Sequence, residues 1–507
     1  MRGWGIALLA ALIVLPLWLV RQPAMPDYPA HLATYHLIAG GASAFYRVAW
    51  AFLPNLAGEV LVPVLAKLFG LEPAARLFMT AALALWVIGP ALIQHALTGR
   101  VGLGAVLAAF FAYNADFLWG FLNYQFAMGA AFVVFAAWVA TDGRRTALHL
   151  IGFAAALLAI YFCHLFALAA LGLLMAAYEA DRLRQLTSRR ERGLRLAAFA
   201  SIFAPAALSF LLLKPPGQPG NGLAFNLADT ALDKLGAAVE QSFDNPSYVL
   251  VALLAVLLLA GLRYRFAAID RRMRLPLALL TLAVLFMPEW AMGGWGVHLR
   301  LPAVLGALIF ASCEFRLEAR ALQALAAAAI AVLAYNIVAL TQDWIVRDRQ
   351  FSEFRTAIAA HVPQGTPLMT VLDGDAIGFR SDQPYWHMAE FAVVDRGGFT
   401  PLLFATPDQH VIRVRPPWSS FAAASAEQGS PPDIDELDDL AHRRADEDED
   451  IQKVFPYLMG FQCVYRVAVV VHLNGPRATV PAMLRLRWRG SFFTLYDIVP
   501  DASCKKR

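Results

Sequence analysis

The sequence predicts an α-helical polytopic membrane protein with about 11 transmembrane helices, followed by a small C-terminal extracytoplasmic α/β domain. Of the 507 residues, 59% are hydrophobic and only 16% are charged, an apolar excess that a soluble globule of this size does not need. Apolar runs close to the length of a membrane span recur up to position 340. The remaining positions, 341–507, have the mixed composition and the length of one soluble domain.

The predicted helices follow the apolar runs in order. Each run, with its flanks, can cross about 30 Å of hydrocarbon as a helix of roughly 20 residues. The first run lacks a small-x-small cleavage site and leads into further apolar segments, so we expect an uncleaved first span rather than a signal peptide. The runs lie at positions 4–20, 74–97, 101–116, 118–140, 147–162, 164–180, 196–213, 248–262, 274–290, 297–313 and 321–340.

Basic loops between the runs set the predicted orientation. In a soluble protein such clusters could bind nucleic acid, but between apolar runs the positive-inside rule assigns them to the cytoplasm, and we expect no nucleic-acid partner. Counting spans from these loops predicts a cytoplasmic N-terminus, and it places residues 21–73 and everything after Leu340 outside. The basic loops lie at Asp142–Arg145, Arg182–Arg195, Arg263–Arg274 and Cys313–Arg320.

Residues 21–73 leave the first span and return to the membrane on the same side. Within them, "AFLPNLAGEVLVPVLAKLFGLEP" carries Glu59, Lys67 and three prolines. We therefore predict an amphipathic helix that lies on the membrane surface, with a pair of short spans as the structural alternative. The predicted domains are a transmembrane domain over 1–340, which includes this external loop, and an extracytoplasmic domain over 341–507.

The C-terminal region is predicted to be a small α/β domain, because strand-like runs alternate with turn residues. Its acidic segment near 430–450 is poor in apolar residues, so we expect a mobile loop there. Cys463 and Cys504 could form a disulfide if the region is external, whereas Cys163 and Cys313 lie in apolar segments and are expected to be inert. The strand-like runs are "TPLMTVL", "HVIRVR", "YRVAVVVHL" and "FFTLYDIV".

Unusual polar residues collect at the predicted outer ends of the spans. Ionisable groups at membrane depth are costly and are usually placed for function. The set comprises Asp27, His31 and His36 after the first span, Asp116, Asn123 and Gln125 near the start of the fourth, His164 between the fifth and sixth, and Glu289, His298 and Arg300 before the tenth.

Each of these residues also has a structural interpretation. Asp27 could be an interfacial turn residue, Asp116 could cap the fourth helix, and Arg300 could extend its charge to the interface. His31 could be a surface residue and His164 a turn residue. What favours function is that all of them collect on one side, with two carboxylates from separate loops.

Such a set could support group transfer at a membrane surface. One carboxylate can act as a general base on an acceptor hydroxyl or amine, and a second can orient the acceptor or hold a divalent cation. Arginine offers a rigid fork of donors to phosphate oxygens. Histidines can donate to the same phosphate or carry protons.

With this topology the chain resembles the GT-C superfamily of membrane glycosyltransferases, which use polyprenyl-phosphate-linked sugars. The resemblance is carried by Asp27 in "MPDYPAHLA", by Asp116 in "YNADFLWG" and by Arg300 in "GVHLRLP". It implies an enzyme of the bacterial inner membrane that transfers a sugar at the periplasmic face to a lipid, glycan or protein acceptor. "DYP" is not the paired-acid motif of many members and Asp116 stands alone, so a role for Mg²⁺ or Mn²⁺ on these two acids stays open.

The resemblance also implies roles for the predicted site residues. Asp27 would be the base, Asp116 would assist with acceptor or metal, and Arg300, with His298 or His164, would bind the phosphate. The remaining substrate-binding candidates are His31, Glu289 and Asn123. This reading predicts that Asp27, Asp116 and Arg300 line one outward cavity.

Other functions remain open at this point. A transporter or a non-enzymatic component of envelope polysaccharide assembly is one alternative, although no internal repeat is evident and the polar residues lie at span ends rather than at mid-membrane. An O-antigen polymerase or ligase is another. The segments "GFLNYQFAMG" and "DRGGFTPLLFA" (Asp395–Ala405) look like signatures of a narrower bacterial group, with no role assigned.

Overall fold

A computed structural model describes residues 3–213, 223–226, 230–242, 245–374, 382–406, 409–424, 428–442, 454–477, 479–502 and 504. The chain divides into two compact units. The first, called the helical unit below, comprises Met1–Leu19, Phe52–Gly58 and Arg76–Gln342. The second, called the C-terminal unit, comprises Val20–Ala51, Glu59–Ala75 and Asp343–Arg507.

The α-helices in chain order are α1 (Gly3–Leu19), α2 (Tyr28–Ile38), α3 (Ala57–Phe69), α4 (Leu71–Thr98), α5 (Leu103–Ala108), α6 (Ala115–Trp119), α7 (Leu122–Ala140), α8 (Ala147–Cys163), α9 (Leu165–Gln185), α10 (Arg189–Leu213), α11 (Thr230–Gly236), α12 (Tyr248–Arg263), α13 (Arg274–Phe286), α14 (Pro302–Ala311), α15 (Ala319–His361), α16 (Phe391–Arg396) and α17 (Ile434–His442). The strands are β1 (Tyr46–Val48), β2 (Glu240–Ser242), β3 (Asn245–Pro246), β4 (Ala267–Ile269), β5 (Cys313–Phe315), β6 (Leu368–Asp373), β7 (Ile412–Val414), β8 (Val467–His472), β9 (Leu484–Arg489) and β10 (Phe493–Ile498).

Helices occupy all of the predicted spans, which confirms the predicted fold class. By length and composition, α4, α7, α10 and α15 can each cross a membrane, and α1, α8 and α12 are shorter apolar helices. The run at 101–116 is not one continuous helix. It contains α5, a 3-10 turn at Ala109–Ala112 and the start of α6.

The last predicted span continues well beyond position 340, because α15 runs to His361. Its second half keeps one buried face, made by Trp344, Phe351, Phe354 and Ile358. These residues recur at helical spacing, so the chain stays helical after its apolar run has ended. The helix ends two residues before Pro363, where a proline disfavours helical backbone in the residue that precedes it.

The C-terminal unit contains a four-stranded sheet in the order β6-β8-β10-β9. β6 and β8 are parallel, and the other neighbours are antiparallel. In the buried centre Val469 pairs with Thr370 on one side and Leu495 on the other. The predicted strand-like runs form β6, β7, β8 and β10, as expected for an α/β region. The exposed edge strand β9 was not predicted, although its sequence "LRLRWR" alternates with the period of a strand.

The segment 21–73, predicted as part of the transmembrane domain, lies mostly in the C-terminal unit. Its strand β1 pairs antiparallel with β7, with Arg47 opposite Arg413. The predicted amphipathic helix within it is α3, which exposes Val60, Val64 and Leu68. The sequence did not predict that this segment groups with the C-terminal unit, because β1 and β7 lie more than 300 positions apart.

The acidic segment differs from the expected loop over the part that is described. Residues 434–442 form α17, whose start is capped by the Asp433 carboxylate, which accepts hydrogen bonds from the N–H groups of Asp435 and Glu436 at 2.8 and 2.7 Å. Ile434, Leu437 and Leu440 are buried on one face, so three apolar residues at helical spacing are enough to fix the helix. Residues 443–450 lie outside the described part of the chain.

The two cysteines of the tail, Cys463 and Cys504, form a disulfide with a Cα–Cα distance of 5.2 Å. Cys163 and Cys313 are not part of this disulfide; Cys313 is buried and Cys163 is half-buried. The disulfide ties the last described residue of the chain to the turn that precedes β8.

Candidate active site

Asp116, in the helical unit, is a completely buried acid in the first turn of α6. Asn114 caps this helix, since its side-chain oxygen accepts a hydrogen bond from the N–H of Phe117 at 3.0 Å. Asp116 is therefore not the helix cap. Neither of its carboxylate oxygens forms a hydrogen bond within the described residues. Burying a carboxyl group without hydrogen-bond donors is costly, so the fold holds Asp116 in place at the expense of stability.

Arg300 lies close enough to Asp116 for their charges to interact. Its side chain is buried among aromatic rings. The central guanidinium carbon lies 4.8 Å from the ring centre of Phe166, 5.2 Å from that of Phe121 and 5.5 Å from that of Tyr124. Cation–π contacts with several rings stabilise a desolvated guanidinium, and here they fix its position inside the protein.

His164 is the N-cap residue of α9 and contacts Arg300 from one side. An N–H of the Arg300 guanidinium lies 2.9 Å from Nε2 of His164. A guanidinium can only donate, so Nε2 is the acceptor in this contact. Tyr124 also contacts His164, with ring centres 5.2 Å apart, and its hydroxyl donates to the backbone carbonyl of Arg300. His164 and Tyr124 therefore position Arg300.

Glu289 and His298 lie around Trp295, a residue that the sequence did not single out. The Trp295 indole N–H donates to Glu289 at 3.1 Å, and its ring centre lies 6.1 Å from that of His298. The Trp295 carbonyl accepts from the guanidinium of Arg300 at 3.5 Å. Glu289, His298 and Arg300, three predicted residues of one loop, thus all contact Trp295.

The side-chain amide of Asn123, at the start of α7, forms hydrogen bonds with Asn55 and Gly58. It accepts from the N–H of Gly58 at 2.7 Å and donates to the backbone and side-chain oxygens of Asn55, each at 3.1 Å. Gln125 likewise donates to the carbonyl of Ala112 at 3.1 Å. These contacts favour a role in holding loops over direct contact with substrate.

Asp27, in the C-terminal unit, occupies the N-cap position of α2 but makes no capping hydrogen bond with its side chain. Within residues 22–35, all of which are described, Asp27 is the one position that is not buried. The backbone around it is held by a hydrogen bond from the N–H of His31 to the Asp27 carbonyl at 3.0 Å. Its neighbours are thus buried, whereas Asp27 itself is partly exposed.

His31 belongs to a group of histidines around Phe404 that the sequence did not predict. The Phe404 ring lies 5.2 Å from His31, 5.1 Å from His387 and 5.2 Å from His410 between ring centres. Next to them, the buried Glu390 has an oxygen 3.8 Å from Nδ1 of His387. No local pattern marks His387 or Glu390, and the one available signal was that Phe404 falls in the unexplained segment Asp395–Ala405.

A metal role for Asp27 and Asp116 finds no support in the geometry. Within the described residues, no group of three or more His, Cys, Asp or Glu side chains could hold a metal ion.

Comparison with known proteins gives similarity in structure only. No protein-family model matches the chain, and none of the curated proteins matches it in sequence. The crystal structure of ArnT from Cupriavidus metallidurans bound to undecaprenyl phosphate is similar at a TM-score of 0.56 and 13% identity, over 99% of both chains. The chain has a GT-C fold. The apo ArnT structure is similar at 0.52 and 13%, over 98% of both chains.

A third structure, the arabinofuranosyltransferase AftD from Mycobacteria, aligns with 99% of this chain but with 40% of its own, at a TM-score of 0.47 and 15% identity. The similarity to the two ArnT structures confirms, for the fold, the GT-C resemblance predicted from Asp27, Asp116 and Arg300. The roles of these residues stay predictions.

Proposed function

We propose that this GT-C protein is a membrane glycosyltransferase that transfers a sugar from a polyprenyl-phosphate donor to a lipid, glycan or protein acceptor. The observation that carries the proposal is the buried Asp116 beside the buried Arg300. A carboxyl group without hydrogen bonds to the described residues, next to a cation held by aromatic rings, is typical of a site that is completed by its substrate. The ArnT structure that shares the fold holds undecaprenyl phosphate.

Asp27 is the proposed general base. Its carboxylate takes the proton from the acceptor hydroxyl or amine as the acceptor atom forms its bond to the anomeric carbon of the sugar. The bond between that carbon and the phosphate oxygen breaks, and its electron pair leaves with the phosphate. The products are the glycosylated acceptor and the polyprenyl phosphate. Accessibility suits Asp27 to this role, because a base must reach the proton that it removes.

Arg300 is the proposed ligand of the phosphate leaving group. Its planar guanidinium can donate two parallel hydrogen bonds to phosphate oxygens. The negative charge on those oxygens grows as the bond to the sugar breaks, so a donor that is already positioned stabilises the transition state more than the ground state. We assign His164 to the positioning of Arg300, and Asp116 to the orientation of the acceptor or the sugar hydroxyls.

We place the reaction at the periplasmic face of a bacterial inner membrane. The orientation follows from the basic loops of the sequence. The Cys463–Cys504 disulfide supports an oxidising compartment for the C-terminal unit, since disulfides persist outside the cytoplasm.

The test is a transfer assay with purified protein and labelled polyprenyl-phosphate sugars. Asp27→Asn is expected to lower the transfer rate by at least about 100-fold, the usual contribution of a general base, while the protein still folds. Asp435→Asn is the matched control, because Asp435 lies in the same unit and its exposed carboxylate pairs with Arg477 at 2.6 Å. An Asp27→Asn protein as active as the Asp435→Asn protein would overturn the assignment.

A further inference from the structure

His387 and Glu390 form a buried pair of ionisable residues that the proposed reaction does not yet use. They lie in the turn before α16, and the side chains are 5% and 1% exposed. Nδ1 of His387 and one oxygen of Glu390 lie 3.8 Å apart. Within the described residues, neither this nitrogen nor the other Glu390 oxygen makes a hydrogen bond. Such a pair is costly to bury, so packing alone does not account for it.

The pair is adjacent to the segment that carries Asp27. α2 packs against α16 and against the turn Met388–Glu390. The Phe404 ring contacts His387 on one side and His31 on another, at 5.1 and 5.2 Å, and His31 lies one helical turn after Asp27. The charge of Asp27 acts on His387 across this packing.

The surroundings of His387 favour its cationic form. Burial lowers the pKa of His387, but the carboxylates of Glu390 and Asp27 outweigh burial and raise it. Among the described residues, the other titratable groups of this cluster include His31 and His410, across Phe404, Arg413 beside His410, and the phenols of Tyr46 and Tyr457, which lie near Glu390.

His410 provides the contrast. It stacks on the same Phe404 ring, yet burial, together with the charges of His31 and Arg413, lowers its pKa to about 3. One aromatic ring therefore separates a histidine whose pKa is raised from one whose pKa is lowered. The difference lies in the two carboxylates beside His387.

We propose that His387, held by Glu390, is a positioning residue that keeps the Asp27 carboxylate ionised and oriented for proton abstraction. The inference rests on the proposed role of Asp27 as the base. A cation beside a carboxylate favours the charged form, which is the form a general base needs. The inference also gives the segment Asp395–Ala405 a role, since it supplies the Phe404 ring around which the histidines pack.

The first test is the pH profile of kcat/KM in the transfer assay. His387→Gln removes the cation, so Asp27 binds a proton at higher pH and the acidic limb of the profile moves up by roughly one pH unit. Glu390→Gln, which keeps the His387 ring, is expected to move the limb in the same direction by less. His410→Gln is the matched control and is expected to leave the limb in place. A His387→Gln limb that coincides with that of the His410→Gln protein would overturn the proposal.

The second test needs no transfer activity. In the full-length protein at pH 6, the shifts in unfolding midpoint of Asp27→Asn and His387→Gln are measured alone and together. Coupled residues give a double variant less destabilised than the sum of the single shifts, and additive shifts would overturn the proposal. If the variants show this coupling but the wild-type protein transfers no sugar, the proposed function fails while the link between His387 and Asp27 stands.

Discussion

Two buried acids of the helical unit, Glu179 and Asp116, differ in the hydrogen-bond donors around them. Glu179, on α9, accepts hydrogen bonds from the indole of Trp138 at 2.8 Å and from the guanidinium groups of Arg145 and Arg195 at 3.3 and 3.1 Å. Asp142 pairs with Arg195 at 2.7 Å. Asp116 is buried as deeply, but its oxygens have no such donors among the described residues.

The difference in hydrogen-bond donors distinguishes a carboxylate that stabilises the fold from one that is proposed to serve the reaction. Each carboxylate of the first group, which we call the paired network (Asp142, Arg145, Glu179, Arg182 and Arg195), is neutralised by guanidinium groups, and this suits a group that locks helices together. Asp116 keeps its hydrogen-bonding capacity unused and so costs stability. A buried group of this kind is a candidate for contact with a ligand, which is the role proposed for Asp116.

We expect the largest effect from a variant that breaks the paired network. Glu179→Gln leaves Arg145 and Arg195 with Asp142 as their one shared carboxylate among the described residues, and removal of one partner of a buried ion pair typically costs about 3–5 kcal/mol. We expect a large drop in the unfolding midpoint, with transfer per folded molecule retained. Glu314→Gln is the control, because Glu314 pairs with Arg100 and Arg316 at the surface and should cost at most about 1 kcal/mol. Equal losses in the two variants would remove the contrast.

A second variant tests Arg300, which lies beside Asp116. Arg300→Lys keeps the charge but loses the planar fork that matches phosphate oxygens. We expect a loss of about 10- to 100-fold in kcat/KM, equivalent to about 1.4–2.7 kcal/mol, with little change in the unfolding midpoint. The exposed Arg316→Lys should leave the kinetics unchanged. A variant with wild-type kcat/KM would show that Arg300 serves the fold alone.

The smallest expected effect concerns the support of Arg300. Tyr124→Phe removes the hydroxyl that donates to the Arg300 carbonyl and keeps the ring that faces the guanidinium. A neutral hydrogen bond contributes about 1 kcal/mol, so kcat/KM should fall about five-fold. A loss as large as that of Arg300→Lys would mean that the Tyr124 hydroxyl itself contacts the substrate, which steady-state kinetics with both variants would reveal.

The sequence predicts the helices well and their ends less well. Apolar runs locate spans because hydrocarbon demands them, but they did not reveal that α15 continues to His361 on a face of widely spaced apolar residues. Nor did they separate α6 from α7, where Gly120 adopts a positive φ of 103° and ends the shorter helix. Local composition carries no direct sign of such packing.

The candidate site was predictable where a charged residue interrupts an apolar context. Asp27, Asp116 and Arg300 stand out for this reason. His387 and Glu390 do not, because they come from a mixed segment more than 350 positions after Asp27, and only the fold brings them beside α2. The cap provided by Asn114 was missed because Asp116 offers the same helix-capping chemistry two positions later.

The most direct test of the central claim, that the unpaired buried acid serves the reaction and not the fold, is to measure transfer and unfolding on one preparation of Asp116→Asn. Asparagine has nearly the same shape and no charge to bury, so we predict an unfolding midpoint equal to or above that of the wild type. We also predict transfer lowered by about 100-fold, the scale expected when a group that orients the substrate is lost. Wild-type transfer, or a midpoint lowered as far as in Glu179→Gln, would contradict the account.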